Sequence, residues 1–267
     1  MSGNKLDGRL DYLFSNGLTH IDLSLNNFSG EAQLFLSPSI REVNISHNRF
    51  TSMLPIREWK SGYNSLVSAD VSHNDINQDC SEVLTIVPPN IRVLRFNDNS
   101  IHGQLPSPLP ILEELREFFV NNNRLSGTMP PISASLPMIE YLNLANQTSN
   151  NDDDDTGLTG PIPLRWSNLL DLKLVDLSYN KLTKNIPADL ASLPSLEILN
   201  VSNNMLGSDD VLPKEFALPK EFGKLAANLL VLDASYNRLE GRIPVPEFTS
   251  EEESLNGVIK LSGNTKM

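Results

Sequence analysis

Two histidines, a run of aspartates, one cysteine and a small group of arginines are the residues of this chain with chemistry to offer. His47 and His73 hold the same place in two similar stretches, NISHN and DVSHN, so their side chains are expected as neighbours, near Asp70. Paired imidazoles can bind a metal ion or titrate near neutrality, but two histidines without a third ligand make a poor zinc site. Exposed polar decoration is the simpler reading. Asp152–Asp155 resembles the start of a calcium loop. An EF-hand frame through Gly157 would place Pro163 at the twelfth position, where a bidentate Glu is required. That run therefore reads as a solvated acidic loop. Cys80 stands where equivalent stretches carry Leu54, Leu105, Ile162 or Ile243, so a small buried hydrophobe is expected rather than a nucleophile. No G-x-S-x-G, H-E-x-x-H, phosphate-binding glycine loop or kinase signature occurs in the sequence. Neither enzymatic activity, nor a metal, nor a cofactor is expected.

The arginines carry more. Arg92, Arg95 and Arg116, with Phe119 and Tyr141, fall on outward positions of neighbouring strands in the register developed below. Asp70, Asp176 and Asp233 flank them. A basic and aromatic cluster stands out in a chain of 267 residues with net charge −12. Arginines and aromatics dominate binding hot spots, and a guanidinium grips a carboxylate with two parallel hydrogen bonds. These five residues are the candidate ligand-binding set, and the expected partner is a protein or peptide with an acidic group beside a hydrophobic side chain. The negative balance argues against nucleic acid. No apolar run approaches the roughly 18 residues that span a bilayer.

What must position these residues is a recurring frame. Leu115–Pro130, LREFFVNNNRLSGTMP, alternates like a strand through Phe118 and Val120, turns at Asn123, and points Leu125 and Met129 inward again. The pattern L-x-x-L-x-L-x-x-N-x-L-x-G-x-I-P returns at Ile91–Pro106, Leu172–Pro187 and Leu229–Pro244, with a period of roughly 24 residues. This resembles the leucine-rich repeat family, and the G-x-I-P tail is similar to its plant-type subclass. The resemblance implies an α/β repeat solenoid of about nine full turns with partial ends. It would be a right-handed leucine-rich repeat superhelix with a parallel concave β-sheet and short 3₁₀ or irregular convex segments. An asparagine recurs at Asn4, Asn26, Asn48, Asn74, Asn99, Asn123, Asn180, Asn204, Asn237 and Asn264, with Gln147 once in the same place. An amide carries an acceptor and two donors, so it can satisfy backbone groups left unpaired at the turn. Asn122, beside the ladder, reads as an exposed position where alanine is harmless.

The whole chain, 1–267, reads as one solenoid. Residues 1–17 are a partial N-terminal repeat, 148–157 an acidic insert, 208–217 a duplicated insert around LPKEFA-LPKEF, and 255–267 a partial C-terminal repeat. Both inserts interrupt a frame that resumes in register, and the stretch NDINQDCSEV predicts a local deviation of the convex side. A start within a repeat, without a signal peptide, suggests a fragment of a longer protein or a truncated gene model. One cysteine cannot form an intrachain disulfide. Four N-x-[ST] sequons occur, at Asn27, Asn44, Asn146 and Asn200. The frame itself generates Asn44 and Asn200, which leaves Asn146 and Asn27 as candidate glycosylation sites, with Asn146 the more accessible beside its insert. Plant-type members are largely recognition modules, which implies a non-catalytic protein- or peptide-binding segment of a cell-surface or secreted receptor-like protein. The alternative is a cytoplasmic scaffold joining protein partners.

Overall fold

The computed structural model describes residues 2–10, 17–32, 39–53, 65–147, 155–207, 229–240 and 258–264. The expected duplicated insert at 208–217 lies outside them, as do 148–154 of the acidic insert. So do 11–16 of the N-terminal partial repeat and 255–257 and 265–267 of the C-terminal one.

Each repeat contributes a three-residue strand whose middle side chain points inward. Val43, Ala69, Leu94, Phe118, Leu142, Val175, Leu199 and Leu232 are all buried at that position. Stacking joins ten such strands, from His20–Asp22 to Val258–Lys260, into one parallel sheet. The register is strict: Leu94 faces Phe118, Phe118 faces Leu142, and Leu142 faces Val175. A second inward residue two places later (Ile45, Val71, Phe96, Val120, Leu144, Leu177, Val201) closes the core beneath the sheet.

The recurring amide then binds two repeats together. Asn123 Nδ2 donates to the carbonyls of Val120 and Asn121 in its own repeat and of Phe96 in the preceding one. Its Oδ1 accepts from the Ile101 amide, also in the preceding repeat, at 2.9 Å. Asn48, Asn74, Asn99, Asn180, Asn204 and Asn237 repeat this pattern. Asn26 accepts from Leu6 N and donates to Leu23 O and Ser24 O. Gln147 spans the same gap with its longer side chain, taking Leu125 N and giving to Val120, Leu144 and Ala145.

A left-handed residue aims each amide. Leu25, His47, His73, Asp98, Asn122, Asn146, Tyr179, Asn203 and Tyr236 all have φ between 51° and 57°, and each immediately precedes a ladder residue. A non-glycine residue in that region gives up about 1–2 kcal/mol, and the buried amide bonds that follow offset it. Asn122 is therefore not the neutral position the sequence suggests. It is half-buried, sits at φ 56°, donates to Asp98 Oδ1 and accepts from Asn146 Nδ2.

Past the ladder, the L-x-G part of the frame forms short parallel strands of its own. These are Arg124–Ser126 on His102–Gln104, Thr159–Pro161 on Lys181–Thr183, and Asn27–Ala32 between Asp7–Gly8 and Arg49–Met53. Gly127 ends one of them at φ 72°, and a Cβ there would lie 2.7 Å from the Gln104 side chain. The deviating stretch closes the convex side with an α-helix, Cys80–Thr85, capped by Asp79, whose Oδ1 accepts from Ser81 N at 2.8 Å. A 3₁₀ turn occupies Ala188–Ser192. Cys80 is 2 % exposed, and burial, aided by the Asp79 charge, pushes its thiol up to about 12.

Two outcomes follow for stability. Asn123→Ala strands the buried Ile101 amide and takes one donor from each of the Phe96, Val120 and Asn121 carbonyls, so chemical denaturation should register a loss of about 1–3 kcal/mol. Asn122→Ala should lose about 1 kcal/mol, and Asn122→Gly less. Equal midpoints for the parent and Asn122→Ala would contradict the left-handed turn. Cys80 should resist a thiol reagent at pH 8 until the chain unfolds, whereas stoichiometric labelling of the native protein would refute its burial.

Candidate ligand-recognition face

Two outward columns run across the ten-stranded sheet, one on each side of the buried middle residue. The column after it reads Asp22, Asn44, Asp70, Arg95, Phe119, Asn143, Asp176, Asn200, Asp233 and Lys260. Its aspartates and asparagines have a local task. Asp70 Oδ1 accepts from the backbone N–H and the hydroxyl of Ser72, and Asp22, Asn44, Asp176, Asn200 and Asp233 make the same pair of bonds to their own serines. The D-x-S and N-x-S recurrences are thus small side-chain turns that close the strand end. Asn143 accepts only the Ala145 amide. Arg95 and Phe119 interrupt the column in two adjacent repeats.

The three candidate arginines are each tied to a different carboxylate. Arg92 donates through Nε and Nη2 to Glu114 Oε2 at 2.9 and 2.7 Å. Arg95 Nη2 lies 2.6 Å from Glu117 Oε2 and its Nη1 3.6 Å from Asp70, with the guanidinium 6.0 Å from the Phe119 ring centre. Arg116 pairs with Glu140, which also takes Lys173 Nζ at 2.7 Å. Lys173 in turn lies 5.5 Å from the Tyr141 ring centre. The hydrogen bonds from Lys173 and Arg116 hold the Glu140 carboxyl below its ordinary value. Side by side on the sheet, the arginines do not form a bare positive patch, because neighbouring strands neutralise them. Phe119 and Tyr141, half-buried, are the apolar members of the set.

The column before the middle residue changes character along the sheet, a feature that sequence reasoning missed. His20, Glu42, Ser68, Val93 and Glu117 occupy it on the first five strands. Tyr141, Leu174, Ile198, Val231 and Val258 occupy it on the last five. In the sequence these strands, LVD, ILN and VLD, read as plain core.

The remaining candidates fall elsewhere. The His47 and His73 rings stack with centres 4.0 Å apart, but the carboxylate beside them is Asp98, 3.4 Å from His73 Nε2, not Asp70. Asp70 is committed to Ser72 and Arg95. Among the described residues no group of three His, Cys, Asp or Glu side chains is placed to hold a metal ion. Of the sequons, Asn44 and Asn200 spend their oxygens on Ser46 and Ser202. Asn146 is half-buried and its amide donates to Asn122. Asn27 lies in the strand Asn27–Ala32, and no hydrogen bond of its side chain occurs among the described residues.

Residues 171–193 match the model of the Leucine Rich Repeat, inside a sheet that repeats the same unit from end to end. The chain is built as a leucine-rich repeat solenoid and is similar to plant-type leucine-rich repeat proteins. This leucine-rich repeat chain is 22 % identical, over 86 % of its length, to Receptor-like protein 18 of Arabidopsis thaliana, and covers 36 % of that protein. It is 29 % identical to Receptor-like protein 35 of the same plant, over 81 % of this chain and 22 % of the relative. It thus spans about a third or less of these relatives. Among solved structures it superposes on the Arabidopsis receptor kinase HAESA, determined in complex with the peptide hormone IDA and the co-receptor SERK1. The TM-score is 0.63 at 23 % identity, over 98 % of this chain and 44 % of that one. No helix among the described residues is long and apolar enough to cross a membrane.

Acid should dissolve the ion-pair chain in a defined direction. Glu140 titrates lower in the folded protein than in the unfolded one, so its contribution is fully present above the unfolded value and fades as pH falls through the folded one. The parent should melt above Glu140→Gln at pH values over about 5, and the gap should close on acidification. A gap that stays constant from neutral to strongly acid solution would contradict the network.

Proposed function

We propose that this chain is a non-catalytic recognition module that binds a protein or peptide ligand on its concave sheet, as part of a cell-surface or secreted receptor-like protein. The observation that carries this reading is the interruption of the Asp/Asn column at Arg95 and Phe119. Six of the described repeats use that position to close the strand end through a serine. Two adjacent repeats give up this contact and present a guanidinium and a phenyl ring instead. Arg95 gains ion pairs with Glu117 and Asp70, but the phenyl ring of Phe119 puts no hydrogen bond in place of the lost one, and functional positions are where such local rules are broken. The names of the relatives and the peptide-bound state of the HAESA ectodomain point the same way.

An acidic group on the ligand is the finer expectation, and the geometry moderates it. A ligand carboxylate would have to displace Glu117 from Arg95 or Glu140 from Arg116. The apolar contact with Phe119 and Tyr141 is the larger part of the attraction, since partly exposed ion pairs contribute about 0–1 kcal/mol each. The scaffold reading rests on the single cysteine, which allows no disulfide within this sequence. In an exported chain Asn27 is the sequon that would carry a glycan, and a mass increase abolished by Asn27→Gln would separate the two readings.

The test of recognition restores the frame. Phe119→Asp combined with Asn121→Ser rebuilds the turn found in the other repeats, so the melting temperature should hold or rise. Binding of peptides selected by the parent from a displayed random library should fall at least tenfold, an order-of-magnitude expectation for losing one buried aromatic anchor. Undiminished binding by the restored variant would overturn the reading.

A further inference from the structure

The second half of the sheet carries a surface that neither the arginines nor the ladder explains. Tyr141, Leu174, Ile198, Val231 and Val258 stand at one register position on five consecutive strands, forming an unbroken apolar strip. The first four are half-buried and Val258 is exposed. No structural demand requires apolar side chains there, because the same column on the first five strands is filled mostly by His20, Glu42, Ser68 and Glu117. The core already lies on the opposite face of these strands, in Leu142, Val175, Leu199 and Leu232.

Carboxylates border the strip on both sides. Asp176 and Asp233 follow it in the neighbouring column, and Glu197 precedes it, exposed and with no ion pair among the described residues. Asp176 spends its oxygens on Ser178 and Asn200, all neutral groups, and no cation among the described residues pairs with it. Asp233 faces Lys260 at 3.4 Å. Beyond the carboxylates, Tyr179 and Tyr236 project from the left-handed column and are both more than half exposed.

We infer that this strip is the subsite for an extended peptide segment with apolar side chains at alternate residues and a lysine or arginine beside them. Five strands about 4.8 Å apart give a strip of about 19 Å, which matches roughly six residues of extended chain at about 3.3 Å each. Alternation follows because successive side chains of an extended segment point to opposite sides. The basic residue follows from Glu197 and Asp176, whose charges have no counterpart among the described residues. A second copy of the chain is a poor occupant, since a strip one side chain wide falls far short of the roughly 800 Å² per partner that stable interfaces bury. The assignment deepens the recognition reading and rests on it.

The test pans the whole chain, immobilised, against a phage-displayed random dodecapeptide library and measures selected peptides on variants by fluorescence anisotropy. Peptides with alternating apolar residues and at least one lysine or arginine should be enriched. Their affinity should fall about tenfold or more in Ile198→Glu and measurably in the milder Ile198→Thr, which keeps a β-branched side chain on the strand. Glu82→Gln, exposed on the convex helix, should leave it unchanged. Peptides of another pattern, or affinities indifferent to both Ile198 variants, overturn the assignment. If binding instead disappears in Arg95→Glu or Phe119→Asp alone, the recognition reading stands and this subsite falls. Enrichment of nothing by the parent overturns both.

Discussion

The structure depends on one side-chain amide used again and again. A short strand followed by a turn leaves backbone donors and acceptors facing the interior of the stack, where water does not reach. A buried group without a partner costs about 1–3 kcal/mol, and each repeat leaves several. A single asparagine answers them, with its oxygen on the preceding repeat and its nitrogen shared between two, as Asn123 does between Phe96, Ile101 and Val120. The amide thereby does more than close a turn. It makes each repeat's hydrogen bonding incomplete without its neighbour, which is the nearest-neighbour coupling that holds a solenoid together.

That constraint divides the side chains by role. Inward positions and the ladder have little freedom, since a change there opens a cavity or strands a polar group. Outward positions on the sheet answer to no such demand, and their chemistry varies from strand to strand. The Asp/Asn column is intermediate, held by its turn contact with serine in most repeats and released at Arg95 and Phe119. The surface on which recognition is proposed is therefore the part of the molecule that folding leaves undetermined.

The same division explains what could be read from the sequence. The solenoid, the inward columns and the ladder were legible because they repeat residue types at fixed spacing, and the local deviation at NDINQDCSEV appears as the helix Cys80–Thr85. The left-handed column was not legible. Its members range from Leu25 to Tyr236, and no glycine flags the conformation among the non-glycine positions. The arginine cluster was found by composition, but its carboxylate partners are set by strand register across neighbouring repeats, as with Arg116 and Glu140. The apolar strip from Tyr141 to Val258 escaped notice for a simpler reason: a strand apolar on both faces looks like a buried one.

Native-state hydrogen exchange of the amides that bond to the ladder tests the central claim most directly. The N–H groups of Phe50, Ile101, Leu125, Leu158 and Leu182 each end on a ladder oxygen of the following repeat. All five lie outside the ten-stranded sheet, yet the account predicts protection as deep as that of the sheet amides, and of similar size in consecutive repeats. Exchange at the rate of solvent-exposed turns would mean that the amides decorate the stack and do not couple it.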